Sequence, residues 1–433
     1  MLLVSAAPAH AKIHVVAIAK EAVKEAVLAP AKATLAKNAR RENPSGFSFL
    51  ISYYFKTGGY MIDYKNSDKK IKTVTLTLTQ QCNLSCSYCY EHNKSTKTMS
   101  IQTAKEIIDR EIAESTEYES IEFDLFGGEA FLEFNLIQEI VAYLCEKKGK
   151  KNCIAFITTN GTLVHGKIQH WLKMHRGCLV CGLSLDGTRE MHNLNRSNSY
   201  DLIDWHFFCE TYPQQDVKMT VSNETLPYLA EGVIDLHKKG FYVSCNLAYG
   251  INWSNPKNRD ILCRELEKLI EFYINNPNIE PCSMLEMGIS NIGNHSEEAY
   301  RYCGAGISMV AYDVDGERYP CQFFMPLSVG KEKAALAKSI TFPEYVIAEK
   351  DLDNKCRKCV LKSACPNCYG SNYASTGSIY KRDDSLCVLT KIMMKARSYF
   401  RAKQWERGQL DLSDAEIQTL LRAIITIQEK LDI

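Results

Sequence analysis

Ten of the eighteen cysteines in this 433-residue chain fall into two clusters with the spacing of metal ligands. The first is Cys82-x3-Cys86-x2-Cys89, in the segment QQCNLSCSYCYE. Three thiolates from one short loop suit a cubane iron–sulfur cluster with one iron left open, because thiolate is the soft ligand such iron prefers. Zinc is the alternative, but it wants a fourth ligand, and only His92 stands nearby to supply one. The second cluster runs Cys303, Cys321, Cys356-x2-Cys359-x5-Cys365-x2-Cys368 and Cys387. Zinc on Cys356, Cys359, Cys365 and Cys368 is again the simpler alternative. Seven thiols with Gly and Pro between them make a poor apolar core, so metal is the expected staple of this region. The cysteines at 145, 153, 178, 181, 209, 245, 263 and 282 sit among core formers, and most read as buried thiols. A disulfide scaffold is normally short and secreted. The opening MLLVSAAPAHAK is too short an apolar stretch for a secretory signal. A reducing, cytoplasmic setting is expected.

The elements that must hold these thiols follow from pattern. Strand-like runs at 74–79, 121–126, 154–158, 179–185, 217–222 and 242–248 alternate with helical patterns at 101–115, 136–148, 165–175, 201–211 and 228–239, and a further helix follows at 259–274. Six βα units with almost no hairpin signal mean α/β architecture with a parallel sheet, either doubly wound or an incomplete barrel. In both, reactive groups belong at the carboxyl ends of the strands, where the first cysteine cluster lies. Residues 1–60 differ: 6–40 are Ala/Lys-rich, and Met61 looks like a start in its own right. They read as a poorly ordered extension, dispensable for cluster loading, rather than a targeting or partner-binding helix. Residues 61–280 form the core unit, 281–390 a short-segmented, cysteine-rich unit, and 391–433 a helical end with Ser413 three residues before Glu416 in the manner of a capping box. Charge excludes other classes. With 52 Lys+Arg against 51 Asp+Glu, net +1, the chain lacks the basic surplus of a nucleic-acid or anionic-membrane binder. No apolar run approaches the roughly 20 residues of a membrane span.

Cys82-x3-Cys86-x2-Cys89 after the first strand, with aromatic Tyr88 before the third cysteine, resembles the radical S-adenosylmethionine superfamily. The resemblance covers roughly residues 72–390. It implies that the open iron binds the amino and carboxylate groups of S-adenosylmethionine, and that one-electron cleavage releases a 5′-deoxyadenosyl radical. Gly127-Gly128-Glu129 ends the second strand, where the family places a Gly-Gly-Glu motif against the methionine amine, with glycines for close approach and a carboxylate to offset the ammonium. Ala130 replaces the Pro often found next. Thr159-Asn160-Gly161 ends the third strand and Ser184-Leu185-Asp186-Gly187 the fourth; the resemblance implies contacts to ribose or carboxylate. Asp186, His192 and Arg196 resemble a segment of the peptide-modifying branch, and Ser222 stands where a hydroxyl commonly meets ribose. Taken alone, these polar groups read as well as caps and surface hydrogen bonds.

The second cysteine cluster resembles the SPASM extension, which carries auxiliary 4Fe–4S clusters in peptide and protein maturases. The resemblance implies that Cys356, Cys359, Cys365 and Cys387 hold a distal cluster, and that Cys303, Cys321 and Cys368 hold a nearer one. The family spaces the last middle pair by three residues; here it is two. Glu297 replaces an additional cysteine of some relatives, which leaves Cys282, His295, water or a substrate thiolate for the fourth iron. Sulfatase-maturing members carry an acidic base after the second cysteine, and this chain has Gln322, whose amide cannot accept that proton. The expected function is therefore a peptide maturase forming a thioether or carbon–carbon crosslink. A protein maturase of the sulfatase or quinohemoprotein type, and a non-catalytic zinc or iron–sulfur scaffold, are the competing readings. Expected partners are a peptide substrate, a separate leader-binding protein (residues 1–60 being too short for a leader-binding domain) and a flavodoxin- or ferredoxin-like electron donor, with neither nucleic acid nor membrane.

Overall fold

The computed structural model describes residues 71–147, 151–294 and 298–431. The expectations for residues 1–60, the Met61 start, His295 and Glu297 lie outside the described residues. All six expected strands form: β1 (Ile71–Thr79), β2 (Ser120–Gly127), β3 (Asn152–Thr159), β4 (Leu179–Leu183), β5 (Val217–Val221) and β6 (Val243–Leu247). The order β4-β3-β2-β1 is parallel throughout, and β5 pairs in parallel with β6. A single parallel bridge, Ser184 to Lys218, joins the second group to β4, with Leu185 N–H donating to Lys218 O at 3.0 Å.

Residue alternation explains which face does what. Val74, Leu76 and Leu78 on β1 and Ile121, Phe123 and Leu125 on β2 are fully buried on one face. That face packs under the crossover helices, Ile101–Glu114 and Phe134–Lys147 among them, whose buried stripes recur every three to four residues. The opposite face of the same strands carries Thr75, Thr77, Thr79 and Glu122, also buried. Parallel strands covered by apolar groups on both sides read as continuous hydrophobic runs. The strict alternation here marks one polar face inside the molecule.

The helices form where expected, with shifted ends. The 201–211 pattern divides into a short turn at Tyr200–Leu202 and a helix at Trp205–Thr211, because Asp204 accepts from Phe207 N–H and restarts the helix. The C-terminal helix Asp384–Glu406 starts at the Asp383 cap, which puts Cys387 on its first turn. It packs with Asp414–Lys430, where the Ser413–Glu416 capping box is present. Among the described residues no helix is long and apolar enough to cross a membrane.

The cysteine-rich region adds an element that the sequence pattern does not announce. β8 (Met309–Tyr312) lies parallel to β1 on its free edge, and β9 (Arg318–Tyr319) returns antiparallel to β8. β7 (Ala299–Tyr300) and β10 (Val346–Ile347) form a separate antiparallel pair. The 313–317 turn is closed by Asp313 Oδ1, which accepts from Asp315 and Glu317 N–H at 3.0 and 3.1 Å, with Gly316 at φ +80°. Tyr312 donates to Glu111, which also pairs with Lys72 of β1 at 2.6 Å.

Candidate functional site

The first cysteine loop leaves β1 at Thr79 and is fastened on three sides. Gly128 N–H donates to Thr79 O (3.1 Å) and Glu129 N–H to Gln81 O (2.8 Å). A Cβ at Gly128 would stand 2.2 Å from Gln81 O and 2.9 Å from Cys82 Cβ, so the second glycine is needed for the approach of the cysteine loop itself. The sequence reading assigned these glycines to ligand approach; the structure shows them against the loop. On the second side Asn160 Nδ2 donates to Asn83 Oδ1 at 2.9 Å, and Asn83 Nδ2 to Thr162 Oγ1 at 2.8 Å. On the third, Ser87 N–H donates to Asn195 O (2.9 Å) and Ser85 N–H to Ser197 Oγ (3.0 Å); Ser197 and Asn198 both take φ +54° to make that turn.

Cys82, Cys86 and Cys89 come together at the mouth of the sheet. Burial pushes the Cys86 thiol up, Arg196 lowers it, and the Asp186 carboxylate and the Cys82 and Cys89 thiols raise it further. Lys94 Nζ donates to Cys89 Sγ at 3.3 Å. Beside it, burial lifts the Glu91 carboxyl to about 7 despite the Lys94 charge.

Asp186 organises the opposite wall. Its Oδ2 accepts from the Tyr88 hydroxyl (2.7 Å) and Asn195 Nδ2 (3.1 Å), and its Oδ1 from Thr220 N–H (2.9 Å). Arg196 Nε stands 2.9 Å from Oδ2 in a buried ion pair. The same guanidinium lies over the Tyr88 ring, 5.4 Å from its centroid.

His192 is fully buried, with Nδ1 accepting from Asp186 N–H (3.2 Å) and Nε2 facing Ser199 Oγ (3.0 Å). Burial lowers its pKa from 6.5 to about 4. The folded protein binds this proton more weakly than the unfolded chain, so the contribution to stability is complete above pH 6.5 and is lost as pH falls toward 4. The loss amounts to about 3 kcal/mol. Urea unfolding at pH 7 and pH 5 is expected to show about 2 kcal/mol of this loss in the wild type and a smaller one in His192→Gln.

The other expected contacts divide. Glu129 is buried and both of its oxygens are engaged: Oε1 accepts from Thr159 Oγ1 (2.8 Å) and Phe131 N–H (3.2 Å), Oε2 from Asn160 N–H (2.8 Å). Thr159, Asn160 and Glu129 are thus brought together, bracing the cysteine loop. Ser222 exchanges hydrogen bonds with Thr225, yet lines a cavity of about 560 Å³ with Ser87, Tyr88 and Asn223. Ser184 sits at the bridge between the two strand groups.

The seven later cysteines separate into two sets. Burial, then Cys368 and Cys303, push the Cys321 thiol well up, and burial with Cys368 raises Cys303 to about 11. Burial, then chiefly Cys365 and Cys387, with Cys359 after Asp353, raise Cys356 to about 12. These are the groupings that the resemblance implies. Thiols that repel one another's ionisation fit an iron–sulfur core, whose positive charge removes that repulsion. Among the described residues no three His, Cys, Asp or Glu side chains converge on a single-ion site. All eighteen cysteines are free.

Of the eight cysteines read mostly as buried thiols, Cys153, Cys181, Cys245 and Cys282 are buried, while Cys145, Cys178 and Cys209 are half-buried. Cys282 is fully buried in the main core and hydrogen-bonded with Tyr273, so it belongs to that core rather than to the set of Cys303, Cys321 and Cys368. Cys263, expected among the buried thiols, is exposed on the outer face of the Pro256–Asn275 helix. The sequence reading also missed Lys94, Asn195, Tyr249 and Phe323. A lone aromatic or amide after a strand carries no spacing signal.

A family described as "4Fe-4S single cluster domain" matches residues 72–202. An uncharacterized protein of Methanocaldococcus jannaschii is 27% identical over 60% of this chain and 87% of its own. The radical SAM cyclopropyl synthase TigE of Paramaledivibacter caminithermalis is 21% identical over 80% of this chain and 77% of its own. Native anSMEcpe with bound AdoMet and Cp18Cys peptide has the same fold, with a TM-score of 0.56 at 16% identity, covering 78% of this chain and 97% of that one.

Proposed function

We propose that this chain, a radical S-adenosylmethionine enzyme with 4Fe–4S and S-adenosylmethionine as cofactors, modifies a ribosomally made peptide by forming a thioether or carbon–carbon crosslink. The observation that carries the reading is the division of ten thiols into sets of three, three and four, with the first set at the carboxyl end of β1. When bound, the cofactors supply a 5′-deoxyadenosyl radical that takes a hydrogen atom from the substrate.

The chain's own residues then have separable tasks. Cys82, Cys86 and Cys89 hold one cluster and leave one of its irons for S-adenosylmethionine. Arg196, held by Asp186 and lying over the Tyr88 ring, sets a buried positive charge beside the cysteine loop for the methionine carboxylate. Glu129, Thr159 and Asn160 hold the cysteine loop against the ends of β2 and β3. Cys356, Cys359, Cys365 and Cys387 hold the distal auxiliary cluster, and Cys303, Cys321 and Cys368 the nearer one. We read the six core strands as a partial (β/α)6 barrel over 61–280, followed by the SPASM unit over 281–390 and the helical end over 391–433. Residues 1–60 are outside all three.

A protein of this fold binds AdoMet and a peptide together, and a relative named a cyclopropyl synthase forms carbon–carbon bonds. The first favours a peptide substrate, and the second an enzyme, over a scaffold role. A sulfatase-type maturase is less favoured because Gln322 stands where the base is needed, and its amide takes no proton at neutral pH. Anaerobic reconstitution tests the reading. The full-length protein is expected to hold about 11–12 irons, three cubanes of four, and to form 5′-deoxyadenosine from S-adenosylmethionine under reductant. An iron content near four with bound zinc would return the later cysteines to a structural role. A flavodoxin- or ferredoxin-like protein is the expected donor.

A further inference from the structure

Beyond β6 the chain turns through Tyr249-Gly250-Ile251-Asn252, and these four residues line two cavities at once. One, of about 560 Å³, contains Ser87, Tyr88 and Ser222. The other, of about 540 Å³, contains Tyr90, Phe323 and Ser371, on the side of the later cysteines. The turn is therefore the wall between the cofactor side and the auxiliary side. Gly250, at φ +91° with nothing within 4 Å of a notional Cβ, lets the chain reverse there.

Tyr249 is the one large side chain of that wall with contacts in every direction. Its ring stands edge-on to Phe323 (centroids 4.8 Å, 72°) and to Tyr90 (6.3 Å, 77°), which are themselves stacked at 4.6 Å and 12°. Tyr90 directly follows Cys89, and Phe323 lies two residues beyond Cys321. The Tyr249 hydroxyl lies beside Cys368. The residue nevertheless remains 47% exposed. An aromatic ring braced on two others and on a cluster thiol, yet half open, is a surface held ready for another apolar group.

We propose that Tyr249 is a positioning residue that separates the cofactor cavity from the substrate cavity, receives an apolar side chain of the bound peptide, and ties this wall to the nearer auxiliary cluster through Cys368. The proposal deepens the peptide-maturase reading and rests on it. Without the ring, the two cavities join, and the cofactor side is no longer divided from the side of the later cysteines. Without the hydroxyl alone, the wall stands but Cys368 loses its polar neighbour, which would alter the electronic environment of a cluster held there.

The test uses reconstituted full-length holoenzyme. In a Cys86→Ala background, where the auxiliary clusters alone are left to give a signal, Tyr249→Phe is expected to change the electron paramagnetic resonance spectrum of the reduced protein while its iron content stays the same. In the otherwise wild-type enzyme, Tyr249→Ala is expected to raise 5′-deoxyadenosine formation without peptide by about fivefold or more. A Tyr249→Phe spectrum that superimposes on its parent, or peptide-free cleavage by Tyr249→Ala at the wild-type rate, overturns the proposal. A wild-type control that cleaves no S-adenosylmethionine would instead overturn the function on which it rests, so the two failures are distinguishable.

Discussion

The Cys86→Ala enzyme is expected to form no detectable 5′-deoxyadenosine while retaining most of its iron. Cys86 is the middle ligand of the three, flanked by Cys82 and Cys89, and its loop supplies no thiol to the other two sets. Two thiolates on one loop cannot hold a cubane whose fourth iron is already without a protein ligand. The iron content should fall from about 12 to about 8 per chain, because the two auxiliary sets are untouched. The fold beyond residue 280 rests on its own apolar clusters, around Phe324, Tyr369 and Tyr373 in one and Leu420, Ile424 and Ile427 in the other, and should survive the change. Iron analysis together with chromatography of the nucleoside product measures both halves. Wild-type turnover would remove the assignment of these cysteines.

Gly128→Ala is expected to match that loss without touching a ligand. The added methyl would meet Gln81 O at 2.2 Å and Gln81 C at 2.6 Å, which are backbone atoms that cannot rotate away. The loop must shift, and the N–H bonds from Gly128 and Glu129 that zip it to the end of β2 shift with it. Cys82, whose Cβ would lie 2.9 Å from the new methyl, is then displaced from its partners. The expected result is loss of about four irons per chain and a fall in S-adenosylmethionine cleavage of about a hundredfold or more, since angstrom misplacement of a reacting group costs on that order. Iron analysis of the reconstituted variant, with circular dichroism to show that the sheet is intact, separates this from global unfolding.

What could be read from the sequence was what depends on short-range pattern. The alternation of IKTVTLTLT and SIEFDLFG fixes strands with one polar face, and the spacing of Cys82, Cys86 and Cys89 fixes three ligands on one loop. The capping box at Ser413 was legible for the same reason. Interactions between distant segments were not legible. Cys282 read both as a buried thiol and as one option for a fourth ligand, and only the fold, by placing it against Tyr273 in the main core, decides for the first. Nothing local in Met309–Tyr312 says that it will pair with a strand more than two hundred residues earlier. Asn195 looks like the end of a short helix, and only the folded chain brings its amide to Asp186 and Thr220. The wall residue Tyr249 likewise acquires its meaning from Tyr90, Phe323 and Cys368, which come from three separate stretches of chain.

The pairing of β8 with β1 sets an order of events during synthesis. β1 is the first strand of the described chain to emerge from the ribosome, and one of its two neighbours lies at Met309–Tyr312. At about 5–20 residues per second, roughly 10–50 seconds separate the two. For that interval β1, which bears the cysteine loop, has an open edge of unpaired N–H and C=O groups and is a template for pairing with another nascent chain. The hazard grows with the number of chains made at once, so a low level of expression favours the native pairing. The first cysteine loop thus gains its second strand neighbour when, of the seven later cysteines, only Cys303 has been made, and the other six are still to come.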